Sequence, residues 1–372
     1  MKKINIITKE KETFSVVQII DRLHVGGAER VLVTLSNLLY INNNAVSVVT
    51  TVSKGPLAKA LNKEIPVIDL QRKSKWNLVT MYKLIRVVKK FDIIHVHSSY
   101  NLRYLFLAAK IFGLKKPIFF HEHFGDININ QQISWHTKYI YPKTFLIAVS
   151  KQIADWAIQQ INMPKERVFV LSNTVIKQSV KDIHDKKSEK TQLVIVSNIR
   201  PTKNIITAIK ITEQLNKNGT PAELTIIGQI ADKYYYDEIF KYINNYGLKD
   251  VIYIKTGETN IQHLLHQFDL ALHTATSESG PLVLIEYIAQ GLPFLTYETG
   301  EVVNQVKENL PLHIMSTFDI NDWAERIMLL LQEDQNSIRN KMEAIFDKYY
   351  SAEVYYNKCI AIYEEGLKQA AK

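Results

Sequence analysis

The stretch SESGPLVLIE, Ser277 to Glu286, sets Glu278 and Glu286 eight positions apart around a Gly-Pro turn. A helix is predicted for PLVLIEYIAQG, beginning after Gly280-Pro281 and ending at Gly291. Glu278 then lies in the loop before it, with Glu286 more than a turn inside. Such a separation suits contact with two parts of one extended ligand, not the sharing of a proton. Carboxylates accept hydrogen bonds readily, so vicinal hydroxyls of a sugar or ribose are apt partners. Free amides at the helix start favour phosphate oxygens. An isolated acid pair reads as surface solvation, but two other constellations shift the balance. In SNIRPTKN, Arg200 and Lys203 follow a strand and precede a helix, where two cations can bind a diphosphate and stabilise it as a leaving group. A solvated loop is the alternative there. In LHVGGAER, Gly26 and Gly27 precede a helix starting near Ala28, which allows close backbone approach and favours an anion. Standing alone, that pair reads as a tight strand-to-helix turn. It is not the dinucleotide fingerprint, because the spaced third glycine and the acid ending the second strand are missing.

A competing constellation is built of imidazoles. His95 and His97 are two residues apart on one predicted strand, as are His121 and His123, so each pair can face one side. Four imidazoles can form a metal site, which points to a metal-dependent hydrolase. Against it, no acidic ligand stands at clear metal spacing, although Asp126 is nearby. Structural packing at strand ends is the plainer reading of His95 and His121.

The elements that must position these groups alternate. In the first half FSVVQII, AVSVVTTV, FDIIHVH, PIFFHEH, TFLIAVS and RVFVLSN read as strands, with helices such as Glu29–Tyr40 and Lys151–Ile161 between them. The apolar pattern stops over Lys177–Gln192, a polar linker, and restarts with LVIVSNI, AELTIIG, DVIYIKTG, FDLALHT and LPFLTYE. From Asn321 onward the chain reads as helical, with Ser351 as an N-cap. A βα alternation implies mainly parallel sheets covered on both faces. At 372 residues the chain exceeds one ordinary core. The expected fold is α/β, with two Rossmann-like doubly wound domains and a cleft between them. Residues 1–180 form the first, 181–350 the second, and 351–372 a helix packing back toward the first.

Composition narrows the partners. With 46% hydrophobic and 22% charged residues and no apolar run of membrane-spanning length, the pattern is that of a soluble globular protein. The charged KEKE near the start interrupts any signal-peptide core, and a single cysteine, Cys359, cannot form an internal disulfide or a thiolate metal site. A cytoplasmic setting is expected, with peripheral attachment to the inner face of the plasma membrane. Residues 1–190 hold 30 Lys and Arg against 14 Asp and Glu, whereas residues 191–372 hold 16 against 23. That asymmetry suggests a polyanion or an anionic bilayer facing the first half. The densest basic segment is Arg72–Lys90, with Leu78, Met81, Leu84, Ile85 and Val88 at helical spacing. It reads either as an ordinary helix with a solvated basic face or as a membrane-docking element. Each basic residue near an acidic leaflet contributes about 1 kcal/mol, so a patch is required. Nucleic acid is not expected, since no recognition motif or aromatic stacking platform accompanies the charge.

Taken together, GGAERV, DIIHVHS, IFFHEH, LIAVSK, VLSNTV, SNIRPTKN and above all SESGPLVLIEYIAQGLP resemble glycosyltransferase family 4, the retaining, nucleotide-sugar-dependent enzymes of GT-B fold. The resemblance covers nearly the whole chain. It implies that Glu286 binds the donor's ribose, Glu278 the donor sugar's hydroxyls, and amides near Leu282 and Val283 the donor, with Ser279 and Gly280 beside them. It further implies that Lys203 binds the diphosphate, that Gly26 and Gly27 form the glycine loop near donor phosphates and acceptor, and that His123 stands beside the reacting sugar. Three positions depart from the family's pattern. Asn198 replaces a common arginine, for which Arg200 would substitute; Ser279-Gly280 replaces Gly-Phe; Thr174 replaces a glycine. The implied reaction is metal-independent transfer from a UDP-sugar, more than a GDP-sugar, to a saccharide or lipid-linked saccharide in surface polysaccharide or glycan assembly. A nucleotide-sugar epimerase and a non-catalytic binder on the same scaffold are the remaining alternatives.

Overall fold

The computed structural model of the chain describes residues 13–125, 133–179, 189–258 and 260–372. The KEKE segment, Asp126 and the middle of the expected linker lie outside the described residues. The first sheet contains β1 (Ser15–Arg22), β2 (Ala45–Ser53), β3 (Val67–Asp69), β4 (Ile93–His97), β5 (Ile118–Glu122), β6 (Phe145–Ala148) and β7 (Val168–Val170). The second contains β8 (Thr191–Val196), β9 (Ala222–Ile227), β10 (Ile252–Lys255), β11 (Leu270–His273), β12 (Phe294–Tyr297) and β13 (Ile314–Met315). Their orders are β3-β2-β1-β4-β5-β6-β7 and β10-β9-β8-β11-β12-β13, with parallel pairing throughout. These are the two doubly wound, Rossmann-like sheets of an α/β GT-B fold. Strands buried on both faces explain the near-continuous apolar runs: every residue of β4 and β5 is buried.

Local chemistry sets the helix ends. Lys151–Ile161 starts where the Ser150 hydroxyl accepts the Ile153 amide at 3.2 Å and stops at left-handed Asn162. Leu282–Gln290 starts after Pro281 and stops at Gly291, whose φ of +64° suits a residue without Cβ. The predicted stripe on Leu78–Val88 buries Met81, Leu84, Ile85 and Val88, but Leu78 is exposed. It opens the helix, where the chain is still leaving the Trp76–Asn77 turn. The last helix, Ala352–Ala370, buries Tyr355, Cys359 and Tyr363 in the first sheet's core beside Phe119 and Phe145.

Strand order reverses between β1 and β4 in one sheet and between β8 and β11 in the other. Ligands of open α/β sheets bind beyond the strand ends at such points. The Gly26-Gly27 turn lies between β1 and its helix, Arg200 and Lys203 follow β8, and Glu278 follows β11.

Candidate functional site

A cleft of about 510 Å³ lies between the two lobes, within the usual range for small-molecule sites. Gly26, Gly27, His123, Arg200, Lys203, Glu278, Ser279, Gly280, Leu282, Val283 and Glu286 all line it. Residues from four separate segments of the sequence therefore converge on one cavity. So does Asn198, the position where the family's arginine is missing.

The second lobe supplies most of the charged groups on the cleft wall. Arg200 opens the turn Pro201–Lys203, and the helix Ile205–Lys217 starts after left-handed Asn204. Thr274 fixes the turn by donating its hydroxyl to the carbonyls of Lys203 and Asn204 at 3.1 and 3.0 Å. Lys203 Nζ forms an ion pair with Glu278 Oε1. His273 Nε2 lies 3.7 Å from the same oxygen, and its Nδ1 meets Thr296 Oγ1 at 3.0 Å. Burial alone would raise the Glu278 carboxyl, but Lys203 and His273 outweigh it and hold it down at about 2. Glu278 thus stays ionised, and its amide is held by Thr299 Oγ1 at 3.1 Å. Gly228, also on the cleft wall, sits so close to β8 that a Cβ there would come within 1.8 Å of the Ser197 carbonyl oxygen.

Glu286 is buried inside the helix Leu282–Gln290, and Arg30 Nη2 reaches across from the first lobe to its Oε1 at 3.0 Å. Burial pushes this carboxyl up, against the pull of Arg30. Its Oε2 has no hydrogen-bond partner among the described residues, which leaves a buried acceptor open. Arg30 was not among the residues singled out from the sequence, although it stands inside GGAERV; its position one turn into the helix was the available signal. Asn173 was also missed. Its Nδ2 donates to the Gly280 carbonyl at 2.7 Å, and a Cβ at Gly280 would come within 2.9 Å of that nitrogen.

The first lobe supplies backbone and imidazole. Gly26 caps the helix Gly27–Ile41 without a side chain of its own, and the partly buried Glu29 carboxylate turns back onto its own amide beside Gly26, at an end of the helix that favours an anion. An ideal Cβ on Gly27 would meet Leu282 Cδ1 at 4.0 Å, so the glycine turn faces the opposite helix start. His123 Nε2 meets His97 Nδ1 at 3.0 Å, and His97 Nε2 meets Gln18 Oε1 at 2.7 Å. Beneath them His95 bridges Tyr363 OH at 2.7 Å and His121 Nδ1 at 3.2 Å. Burial lowers all four imidazoles, His95 and His123 to about 3, so they are neutral at pH 7. Ring nitrogens of His95, His97 and His121 lie within 4.8 Å of one another. These three are fully buried, whereas His123 lines the cleft. A hydrolytic ion there would need a coordination position open to substrate, and the cluster's burial provides none. Further contacts draw the lobes together: Ser277 Oγ to the Gly125 carbonyl at 3.0 Å and the Lys151 amide to Glu301 Oε2 at 2.8 Å.

Two open α/β sheets facing each other across a cleft with paired acids, cations and a glycine turn define a GT-B glycosyltransferase. Residues 25–178 match the family described as Glycosyltransferase Family 4 and residues 176–348 that described as Glycosyl transferases group 1. Together the two matches span residues 25–348, so the chain is a glycosyltransferase of the type these two models describe. It is 26% identical over 173 residues to a poly(ribitol-phosphate) alpha-N-acetylglucosaminyltransferase of Staphylococcus aureus, a match covering 45% of this chain and 33% of the relative. The matched stretch thus spans about a third of that relative's length. An N-acetyl-alpha-D-glucosaminyl L-malate synthase of Bacillus anthracis is 22% identical over 302 residues, covering 75% of this chain and 77% of its own. Among solved structures, Anabaena HepE in complex with UDP and glucose superposes with a TM-score of 0.78 at 18% identity, covering 94% of this chain and 98% of that one. Among the described residues, no helix is long and apolar enough to cross a membrane.

Proposed function

We propose that this glycosyltransferase moves a hexosyl group from a UDP-sugar to a hydroxyl of a saccharide, with retention at the anomeric carbon and without a metal. The observation that carries the reading is the convergence of Lys203, Glu278 and Glu286 on one cleft opposite the Gly26-Gly27 turn. Lys203, Arg200 and the helix-start amides near Leu282 and Val283 neutralise the charge that develops on the departing diphosphate. This is the task a metal performs elsewhere, and it supplies most of the acceleration. The open oxygen of Glu286 accepts a ribose hydroxyl, while Glu278 accepts from the donor sugar. His123, neutral and fixed by His97, orients that sugar and takes no covalent part. Retention is supported by the α designation in the Staphylococcus relative's name, since UDP-glucose-type donors carry the sugar as the α anomer. UDP is supported by the HepE complex.

The acceptor hydroxyl enters from the first lobe, and a lipid-linked saccharide of surface polysaccharide or glycan assembly is the acceptor class favoured by the basic first half. In this reading residues 1–180 receive the acceptor and residues 181–350 hold the donor, and closure of the lobes over the donor follows from groups contributed by both.

The test is a panel of UDP-, GDP- and ADP-sugars scored by thermal shift and nucleotide release. A UDP-sugar should stabilise the protein and survive a strong chelator as substrate, and Glu286→Ala should weaken UDP binding by at least about tenfold. Equal UDP affinity in the variant and the parent would sink the assignment. Turnover of the UDP-sugar without any acceptor would point instead to epimerisation.

A further inference from the structure

One face of the first lobe is out of keeping with a purely soluble surface. The helices Leu78–Val88, Ser99–Phe112 and Trp135–Ile140 lie side by side on it. The Tyr82 and Phe112 rings stand 5.6 Å apart and the Phe106 and Tyr139 rings 6.0 Å apart. The first helix already buries Met81, Leu84, Ile85 and Val88 against the core. A second apolar set points outward: Trp76 is 67% exposed, Val79 63%, Leu78 56% and Tyr82 50%. Trp135, on the third helix, is 71% exposed. Contiguous apolar exposure of this kind marks an interaction site.

Charge surrounds it with one sign. Residues 72–116 contain eleven Lys and Arg and one acid, Asp92. Asp92 is engaged by Ser15, whose amide and hydroxyl reach its Oδ2 at 2.9 and 2.6 Å. Residues 133–143 add two lysines and no acid. Along the exposed side of the first helix, Val79 and Tyr82 are followed at helical spacing by Lys83, Arg86 and Lys90, and Lys73 and Lys75 precede them, all exposed. Arg72 is instead sandwiched over the Tyr100 and Tyr104 rings, at 4.7 and 4.2 Å, and ties the basic turn to the second helix.

We infer that this face docks on an anionic lipid bilayer, with Trp76, Leu78, Val79 and Tyr82 entering the headgroup boundary and the flanking lysines and arginine meeting acidic headgroups. Tryptophan and tyrosine favour that boundary, basic residues gain from its negative potential, and neither alone gives firm attachment. A soluble polyphosphate would satisfy the cations but would offer the four apolar side chains nothing, so the bilayer is the occupant this surface fits. The inference rests on this face alone. Only its consequence, that the cleft is brought to a lipid-linked acceptor, rests on the transferase reading.

The test uses the full chain in flotation with vesicles of phosphatidylcholine alone and of phosphatidylcholine mixed equally with phosphatidylglycerol, and binding to long-chain polyphosphate as a second probe. The protein should float with the mixed vesicles only, and less as salt rises. The double variant W76S/V79S should lower vesicle affinity by on the order of tenfold while leaving polyphosphate binding unchanged. K73E/K75E should weaken both. Because these residues lie outside the cleft, UDP-induced thermal shifts should be the same in every variant, which separates a failure here from a failure of the donor site. The proposal is overturned if the protein stays with the unfloated fraction under low salt, or if W76S/V79S floats as the parent does, which would leave a polyanion site in place of a membrane face.

Discussion

The two lobes meet the cleft with opposite chemistries, and the contrast inverts what their net charges suggest. The first half carries the basic excess, yet at the cleft it offers a glycine turn and a neutral imidazole, with Arg30 engaged by Glu286. Its cations gather on the outer face. The second half is acidic overall, yet it brings Arg200 and Lys203 to the cavity and sets Glu278 against Lys203. Where charge is counted therefore matters less than where strand ends place it. The Lys203–Glu278 pair lies wholly in the lobe proposed to hold a charged donor, the Arg30–Glu286 pair bridges the two, and hydrogen-bonded neutral imidazoles lie in the lobe proposed to receive a hydroxyl.

The sharpest way to break this contrast is to remove Lys203. Lys203→Met should reduce UDP-sugar turnover by about a hundredfold or more and, by stranding a buried carboxylate, lower stability by roughly 3 kcal/mol. Adding Glu278→Gln should restore most of the melting temperature and none of the turnover. If the single variant works and melts like the parent, the ionic role of the second lobe is refuted.

Acid titration tests the other side. His95 and His123 are held at about 3, against an ordinary value of 6.5, by burial. Below pH 6.5 the unfolded chain binds protons that the folded chain refuses, so each such imidazole lowers stability by about 1.4 kcal/mol per pH unit. Glu278, held at about 2, has the lower window: its contribution persists above about pH 4.5 and fades only as pH falls from there toward 2. Among the described residues the second lobe has one comparably depressed imidazole, His313 at about 4. Hydrogen exchange from pH 7 to pH 5 should therefore show β4 and β5 losing protection before β11. Simultaneous loss would erase the distinction.

The smallest effect is expected at Tyr363. Tyr363→Phe removes the hydroxyl bound to His95 Nδ1 and should cost about 1–2 kcal/mol in chemical denaturation, with UDP affinity unaltered.

Much of this arrangement could be read from the chain before any coordinates. Apolar, β-branched central strands announced themselves, as β1 and β8 did, because burial on both faces demands nearly continuous apolar residues. Lys151–Ile161 was predicted with its observed limits, since Ser150 and Asn162 punctuate it. The strands not foreseen, β3 and β13, are edge strands of three and two residues, too short to carry a pattern. Glu278, Glu286, Lys203 and the glycines were found because their spacing around turns is local. Arg30 and Asn173 were not, since each acquires its part only through a partner far along the chain, Glu286 and Gly280; His273 was not, since its ring is turned toward Glu278 by a bond to Thr296 on the neighbouring strand. The histidines were read as two local pairs. That they form a stacked column ending on Tyr363 depends on the last helix returning to the first sheet.

That return has a mechanical meaning. The backbone passes between the lobes twice, once after β7 and again before Ala352, and the Thr174 hydroxyl donates to the Tyr350 carbonyl, so the two passages are stitched side by side. A single tether would let the halves swivel in any direction. A doubled one behaves like the pin of a door: of the relative motions open to two lobes, it restrains a swing about the paired passages least, and shear and separation most. Thr174 supplies the stitch.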